Sequence, residues 1–316
     1  MCLNIFTANK KMKRRSFIQK VSTTTLLSSM GAFPLAAFSK KDLIKLTILH
    51  TNDVHSRIEP FPMDGGRNEG AAGAARRASL LKKIRAAEEH VLLFDAGDIF
   101  QGTPYFNFFG GELEFKLMSA MKYDAATIGN HDFDAGIKGL YKQLPHANFP
   151  FLISNYDFSD TLMNGQTQPY KIFKKGPLKI GVFGLGIELD GLVPEKDFKG
   201  TRYLDPINTA NKLALQLKKE QNCDLVVCLS HLGYRYRENK VSDVVLAENS
   251  QHIDVIIGGH THTFMKKAAS YRNLDNEEVI INQVGFAGIY LGRLDIYFER
   301  NKKGKCTTCE NTLITG

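Results

Sequence analysis

Val91-Leu92-Leu93-Phe94-Asp95-Ala96-Gly97-Asp98 is an apolar β-type run that stops abruptly in two aspartates around a glycine. The same construction recurs four times. Leu46-Thr47-Ile48-Leu49 leads into Asn52-Asp53-Val54-His55, and Ala125-Ala126-Thr127-Ile128 into Gly129-Asn130-His131-Asp132. Leu225-Val226-Val227-Cys228-Leu229 leads into Ser230-His231, and Val255-Ile256-Ile257 into Gly258-Gly259-His260-Thr261-His262. Between these runs, residues 71–89, 111–121 and 206–220 have the apolar periodicity of helices with polar outer faces. Residues 279–283 and 291–298 read as further strands, the last closing a hairpin with residues 305–314. The alternation predicts one layered α/β domain.

In an α/β sheet, groups just past the carboxyl ends of neighbouring strands converge on one crevice. Five distant segments can therefore deliver ligands to one place. Five of the nine histidines lie in these clusters: His55, His131, His231, His260 and His262. With Asp53, Asp98 and Asn130 they make a mixed nitrogen and oxygen set, suited to zinc, manganese, iron or cobalt rather than calcium. Seven or eight candidates exceed the needs of one tetrahedral ion, but suit two divalent ions about 3.5–4 Å apart that share a carboxylate. Taken singly, Asp53 and His55 are a loop pair, Asp98 a turn cap and His231 a core histidine. The order and repetition of all five clusters point to a metal centre.

The formal charge of +8 is misleading. Residues 1–39 hold Lys10, Lys11, Lys13, Arg14, Arg15 and Lys20 and no acidic residue, so they account for six of the eight excess charges. The nearly neutral remainder has no electrostatic footprint for a nucleic-acid polymer. A basic start, an apolar stretch from Leu26 to Phe38 and small residues mark 1–39 as an export signal cleaved after Ala37-Phe38-Ser39. Arg14-Arg15-Ser16-Phe17-Ile18-Gln19-Lys20 resembles a twin-arginine signal, with Lys13 where Ser or Thr is usual. Met12 is a second candidate start. The expectation is a periplasmic protein with no membrane span once the signal is removed. Cys223 and Cys228 read as small buried hydrophobes. Cys306 and Cys309 follow a turn at Asn301-Lys302-Lys303-Gly304 and form a CxxC without a partner motif, read as incidental.

Ile48-Leu49-His50-Thr51-Asn52-Asp53-Val54-His55-Ser56-Arg57 resembles the first signature of the 5′-nucleotidase family, within the calcineurin-like metallophosphoesterases, with Ser56 in place of Gly. Tyr123-Asp124-Ala125-Ala126-Thr127-Ile128-Gly129-Asn130-His131-Asp132-Phe133-Asp134 resembles the second, with Asp132 in place of Glu. The resemblance runs from about Lys45 to Phe298. It implies a four-layer sandwich of two mixed β-sheets flanked by helices, with a dinuclear site at the strand carboxyl ends. It implies that Asp53, His55, Asp98 and His262 hold one ion and Asp98, Asn130, His231 and His260 the other. His131, oriented by Asp134, would be catalytic, and a metal-bound hydroxide the nucleophile.

The implied activity is hydrolysis of nucleotide phosphoesters, as a 5′-nucleotidase ahead of a 2′,3′-cyclic nucleotide phosphodiesterase, a UDP-sugar hydrolase or a thiosulfohydrolase. A non-catalytic metal-binding subunit is the reading from another class. The family's usual C-terminal nucleotide-binding domain has no counterpart in residues 40–316, so base recognition is expected from a separate chain or not at all. His50, His90, His146 and His252 are assigned no catalytic role. Asp95 is read as a support for the Asp98 loop, and residues 56–70 as a loop bordering the substrate.

Overall fold

Residues 43–238, 240–299 and 305–315 are described by the computed structural model. The export signal read at 1–39 and the turn at 301–304 lie outside them. In chain order the elements are β1 (Leu43–Thr51), α1 (Ala74–Ala87), β2 (Val91–Asp95), α2 (Pro104–Phe109), α3 (Glu112–Ala120), β3 (Ala125–Ala126) and α4 (Gly136–Gln143). There follow β4 (Tyr156–Asp157), β5 (Tyr170–Lys175), β6 (Leu178–Leu185), α5 (Glu195–Phe198), β7 (Arg202–Tyr203), α6 (Pro206–Leu215), β8 (Leu225–Ser230) and α7 (Asp243–Glu248). The chain continues through β9 (Val255–Gly258), β10 (Ala269–Arg272), β11 (Glu278–Asn282), β12 (Tyr290–Glu299), β13 (Lys305–Cys309) and β14 (Thr312–Leu313).

One sheet has the order β13-β12-β1-β2-β3, with β14 also on β12; the other runs β10-β11-β9-β8-β6-β5. Both are mixed. β1, β2 and β3 are parallel and β12 antiparallel, while β6, β8, β9 and β11 are parallel with antiparallel β5 and β10 at the edges. Every residue of β2, β8 and β9 is buried, which is why those strands read as continuous apolar runs rather than alternating ones.

Alternation of side chains across each strand builds the layers. Ile48, Leu92 and Phe94 point into the space between the sheets, against Ile180, Val227 and Ile257. Leu49 and Leu93 point the other way, onto Leu81 and Ile84 of α1 and Phe115 and Met118 of α3. Across the second sheet Val226, Cys228 and Ile256 meet Ala210 and Leu213 of α6 and Leu246 of α7. Helices, sheet, sheet and helices form the four layers that the family resemblance implies.

The differences lie at element ends. The helix expected over 71–89 begins at Ala74, because Gly73 has φ 104°, outside helical space for other residues. The one expected over 111–121 is α3, preceded by a separate helix α2 and by Gly110 and Gly111 at φ 60° and 99°. The stretch 206–220 starts where Asp205 accepts from Asn208 N–H (2.7 Å) and ends as a π-helical turn over Gln216–Glu220. Cys223 and Cys228 are buried. Cys306 and Cys309 both lie in β13. Among the described residues no helix is long and apolar enough to cross a membrane.

Candidate metal centre

The five strand ends named from the sequence meet. The loop after β1 is laid on the loop after β2: Asp53 N–H donates to Gly97 O (2.9 Å), His55 N–H to Asp98 O (3.1 Å) and Ser56 N–H to Ile99 O (2.9 Å). Each aspartate then receives a backbone donor from a further loop. His131 N–H donates to Asp98 Oδ1 (2.8 Å), and His260 N–H to both oxygens of Asp53 (2.9 and 3.0 Å). Glycine makes this approach possible. A methyl group on Gly129 would stand 2.2 Å from Asp98 Oδ1, and one on Gly97 2.7 Å from Gly129 N.

Two groups of donor atoms result, one of Asp53, His55 and His262 and one of Asp98, His231 and His260, each with its atoms within 4.8 Å of one another. Asn130 joins the second, its Oδ1 lying 2.8 Å from His260 Nδ1. Between the groups, His231 Nε2 is 3.1 Å from Asp98 Oδ2 and 4.0 Å from Asp53 Oδ1. Asp53, His55, Asp98, His260 and His262 all have φ between 49° and 69°. Left-handed backbone costs a non-glycine residue roughly 1–2 kcal/mol, and five cases here concentrate backbone strain in one place.

The donors fit cations. His231 is fully buried and gives its Nδ1–H to Ala96 O (2.7 Å), which leaves Nε2, without a hydrogen-bond partner among the described residues, facing the two carboxylates. His55 does the same through Nδ1 and Phe100 O (3.2 Å), so its Nε2 faces His262 Nε2 at 3.0 Å. Two buried carboxylates surrounded by imidazoles are short of positive charge. Burial opposes a charge on His231, yet Asp98 and Asp53 outweigh it and push its pKa up to about 10. Burial likewise opposes ionisation of Asp98, but His231 overcomes it and holds the carboxyl well below its usual range. His260 moves the other way, lowered to about 4, chiefly by burial.

His131 belongs to neither group. Its ring meets His55 edge-on at 5.3 Å, and its Nδ1–H donates to Asp134 Oδ2 (2.9 Å), a contact that raises its basicity. It is 38% exposed, so the ring is open to a ligand lying over the two groups. His50 is buried away from the site, accepting at Nε2 from Asn282 Nδ2 (2.8 Å). His90, His146 and His252 stand 3.8 to 3.9 Å from carboxylates outside the centre.

Several residues that hold the ligand loops were not singled out for a role in the sequence. Asp132 is buried and accepts backbone donors from Gly129 (2.8 Å), Asp98 (3.2 Å), Ile99 (2.9 Å) and Phe100 (3.1 Å). Burial pushes its pKa up to about 7, Asp98 adds to that, and the amides oppose it. Asn52 donates to Asp53 Oδ2 and Gly285 O, both at 2.6 Å, and accepts from Val284 N–H (3.0 Å). Gln283 donates to Gly259 O (2.6 Å) and accepts from Thr261 Oγ1 (3.1 Å). Asp95, by contrast read from the sequence as a support for the Asp98 loop, accepts from Gly97 N–H (2.9 Å) and Thr51 Oγ1 (2.5 Å). The loop over 56–70 places Phe61 beneath the Arg57 guanidinium at 4.2 Å.

Residues 46–264 match the family described as calcineurin-like phosphoesterase. Snake venom 5′-nucleotidase of Crotalus adamanteus is 36% identical over 280 residues, which cover 81% of this chain and 45% of that protein. The structure of a 5′-nucleotidase precursor from Thermus thermophilus superposes with a TM-score of 0.78 at 30% identity, over 86% of this chain and 55% of that one. The NAD nucleotidase of Haemophilus influenzae gives 0.76 at 28% identity, over 86% and 56%. The chain thus spans about half the length of these relatives.

Proposed function

The chain belongs to the calcineurin-like phosphoesterase family, and from that membership we propose that it hydrolyses nucleotide phosphoesters as a 5′-nucleotidase-type enzyme with two divalent ions. The observation that carries the reading is the pairing of the two donor groups across Asp53, Asp98 and His231, with His131 and Asp134 beside them. In this reading Asp53, His55, Asp98 and His262 hold one ion, and Asp98, Asn130, His231 and His260 the other, with Asp98 shared. Bound there, the ions would supply Lewis acidity toward the phosphoryl group and toward water.

The chain's own part follows from the His131–Asp134 pair. Asp134 takes the Nδ1–H, which fixes the tautomer and turns Nε2 outward. A protonated His131 stabilises the charge gathering on the phosphoryl oxygens. As the bond from phosphorus to the ester oxygen breaks and the bond to water forms, His131 gives its proton to the departing alkoxide. Product alcohol and inorganic phosphate leave, and no covalent phosphoenzyme forms.

Relatives named 5′-nucleotidase and NAD nucleotidase support nucleotides as the substrate class. The basic and apolar leader at 1–39 supports export, by the twin-arginine route to the periplasm. The test is hydrolysis by the purified chain, loaded in turn with Mn²⁺, Co²⁺, Zn²⁺ and Mg²⁺. The substrates are 5′-AMP, a 2′,3′-cyclic nucleotide, UDP-glucose and nitrophenyl mono- and diesters. Efficient 5′-AMP cleavage lost in His131→Ala supports the reading. Cleavage of simple esters alone keeps the phosphoesterase and moves base recognition to a separate chain. No hydrolysis with any metal rejects it.

A further inference from the structure

The imidazoles of the centre are not all oriented in the same way. The ring of His231 is set by Ala96 O (2.7 Å) and that of His55 by Phe100 O (3.2 Å). Among the described residues His262 has no such acceptor. Its Nε2 stands 3.0 Å from His55 Nε2 and 3.5 Å from Asp53 Oδ1. Both partners belong to its own donor group, so neither contact is left to orient the ring when the three donors turn to a cation. Nor does close packing fix it, because 40% of the His262 side chain is exposed.

What lies on His262 is Phe286. The ring centroids are 5.1 Å apart and the planes only 14° from parallel, a stacked pair. The Phe286 ring is itself held. Val284 N–H donates to Asn52 Oδ1 (3.0 Å) and Asn52 Nδ2 to Gly285 O (2.6 Å). Gly285 N–H donates to Thr263 O (3.0 Å), one residue past His262, and Ala287 N–H to Asp53 O (2.7 Å). The turn that carries Phe286 is thus tied to the two segments that carry Asp53 and His262. Gly285 has φ 74°, and a methyl group there would stand 2.2 Å from Phe264 Cε1, so glycine lets that ring lie against the turn. Phe264 then meets Phe286 edge-on at 5.8 Å, while Ala287 and Ile289 pack behind.

We propose that Phe286 is a positioning residue for His262, its stacked ring holding the imidazole toward Asp53 and His55 and so setting the affinity of the ion that this group binds. The inference rests on the two-ion reading. An imidazole already stacked in place loses less rotamer freedom when an ion arrives than one free to turn, and the difference appears as affinity. The face of the ring does this, so an aliphatic side chain of similar bulk does not replace it.

The test measures ion binding rather than hydrolysis. Chelator-stripped parent, Phe286→Ala, Phe286→Leu and Phe286→Tyr are titrated with Mn²⁺ and with Zn²⁺, following bound ion. Phe286→Ala should weaken one of the two ions roughly 2- to 10-fold and leave the other as in the parent. Phe286→Tyr keeps a ring on His262 and should bind as the parent does; Phe286→Leu should be as weak as Phe286→Ala. In a His262→Ala background, Phe286→Ala should add no further loss, because the residue acts through the imidazole. Parent-like affinity in folded Phe286→Ala or Phe286→Leu protein overturns the inference. An equal weakening of both ions, or an undiminished further loss in the His262→Ala background, overturns it too and leaves Phe286 a fold support. If Phe286→Ala does not fold, the comparison of Phe286→Tyr with Phe286→Leu decides. A parent that binds fewer than two ions rejects the two-ion reading and this inference with it. A parent that binds two ions but hydrolyses no phosphoester rejects the proposed function, while the variants still decide the role of Phe286.

Discussion

Asp134 Oδ2 stands 2.9 Å from His131 Nδ1, three residues away in sequence and on the far side of the ring from the open Nε2. A carboxylate in that place orients the imidazole and stabilises its charged form, so the two residues should fail together. His131→Ala is expected to lower kcat by about 10²–10⁴-fold, and Asp134→Asn by about 10–100-fold. The double variant should be little worse than His131→Ala, because the two act as a unit. Steady-state kinetics on a nitrophenyl phosphate checks this; additive losses would separate the roles.

Among the described residues, Asp98 is the one carboxylate within 4 Å of both His231 and His55 Nε2, at 3.1 and 3.9 Å. Asp98→Asn keeps the shape and the acceptor for His131 N–H but removes the negative charge. Metal content measured on the purified variant should fall below that of the parent, with hydrolysis lost and the thermal midpoint in chelator lowered, because buried His231 loses its counter-charge. Full metal content in the variant would remove Asp98 from the shared position.

Asp132 holds the Asp98 loop by four backbone donors. In Asp132→Ala those buried amides lose their acceptor, at about 1–3 kcal/mol for the group left unsatisfied. The thermal midpoint should drop by several degrees, and metal affinity should fall although Asp132 is no ligand. A variant with parent-like metal affinity would make the residue a fold support alone.

His50 predicts an acid limb of stability. Burial lowers its pKa to about 3, Nε2 accepts from Asn282, and Nδ1 has no partner among the described residues. The unfolded chain takes a proton near pH 6.5, which the folded chain refuses. The unfolded state therefore binds more protons between those values, and stability falls as pH drops below about 6.5. The loss from this group approaches 1.4 kcal/mol per pH unit, so roughly 2 kcal/mol between pH 6.5 and 5. Denaturant midpoints at the two pH values should converge in His50→Gln relative to the parent.

How much of this was legible follows from what each residue touches. Asp53, His55, Asp98, Asn130, His231, His260 and His262 were legible as a group because donor residue types recur at successive strand ends, and the fold brings them together. The four-layer architecture was legible for a related reason: strands such as β8, buried on both faces, have no polar alternation to hide them. Asp132, Asn52 and Gln283 were not, since their partners are backbone groups of other loops, which carry no side-chain signature. Element ends were missed where glycine geometry rules, as at Gly73 and Gly111. The π-helical turn after α6 was missed because lysine-rich periodicity looks the same in either helix.

The most direct test of a two-ion phosphoesterase is a metal titration of chelator-stripped protein, following bound ion and hydrolysis of nitrophenyl phosphate on the same sample. Activity should be absent at the start, rise as Mn²⁺ or Zn²⁺ binds, and level off at two ions per chain. Hydrolysis that survives stripping, or that saturates at a single bound ion, would contradict the paired centre built on Asp53 and Asp98.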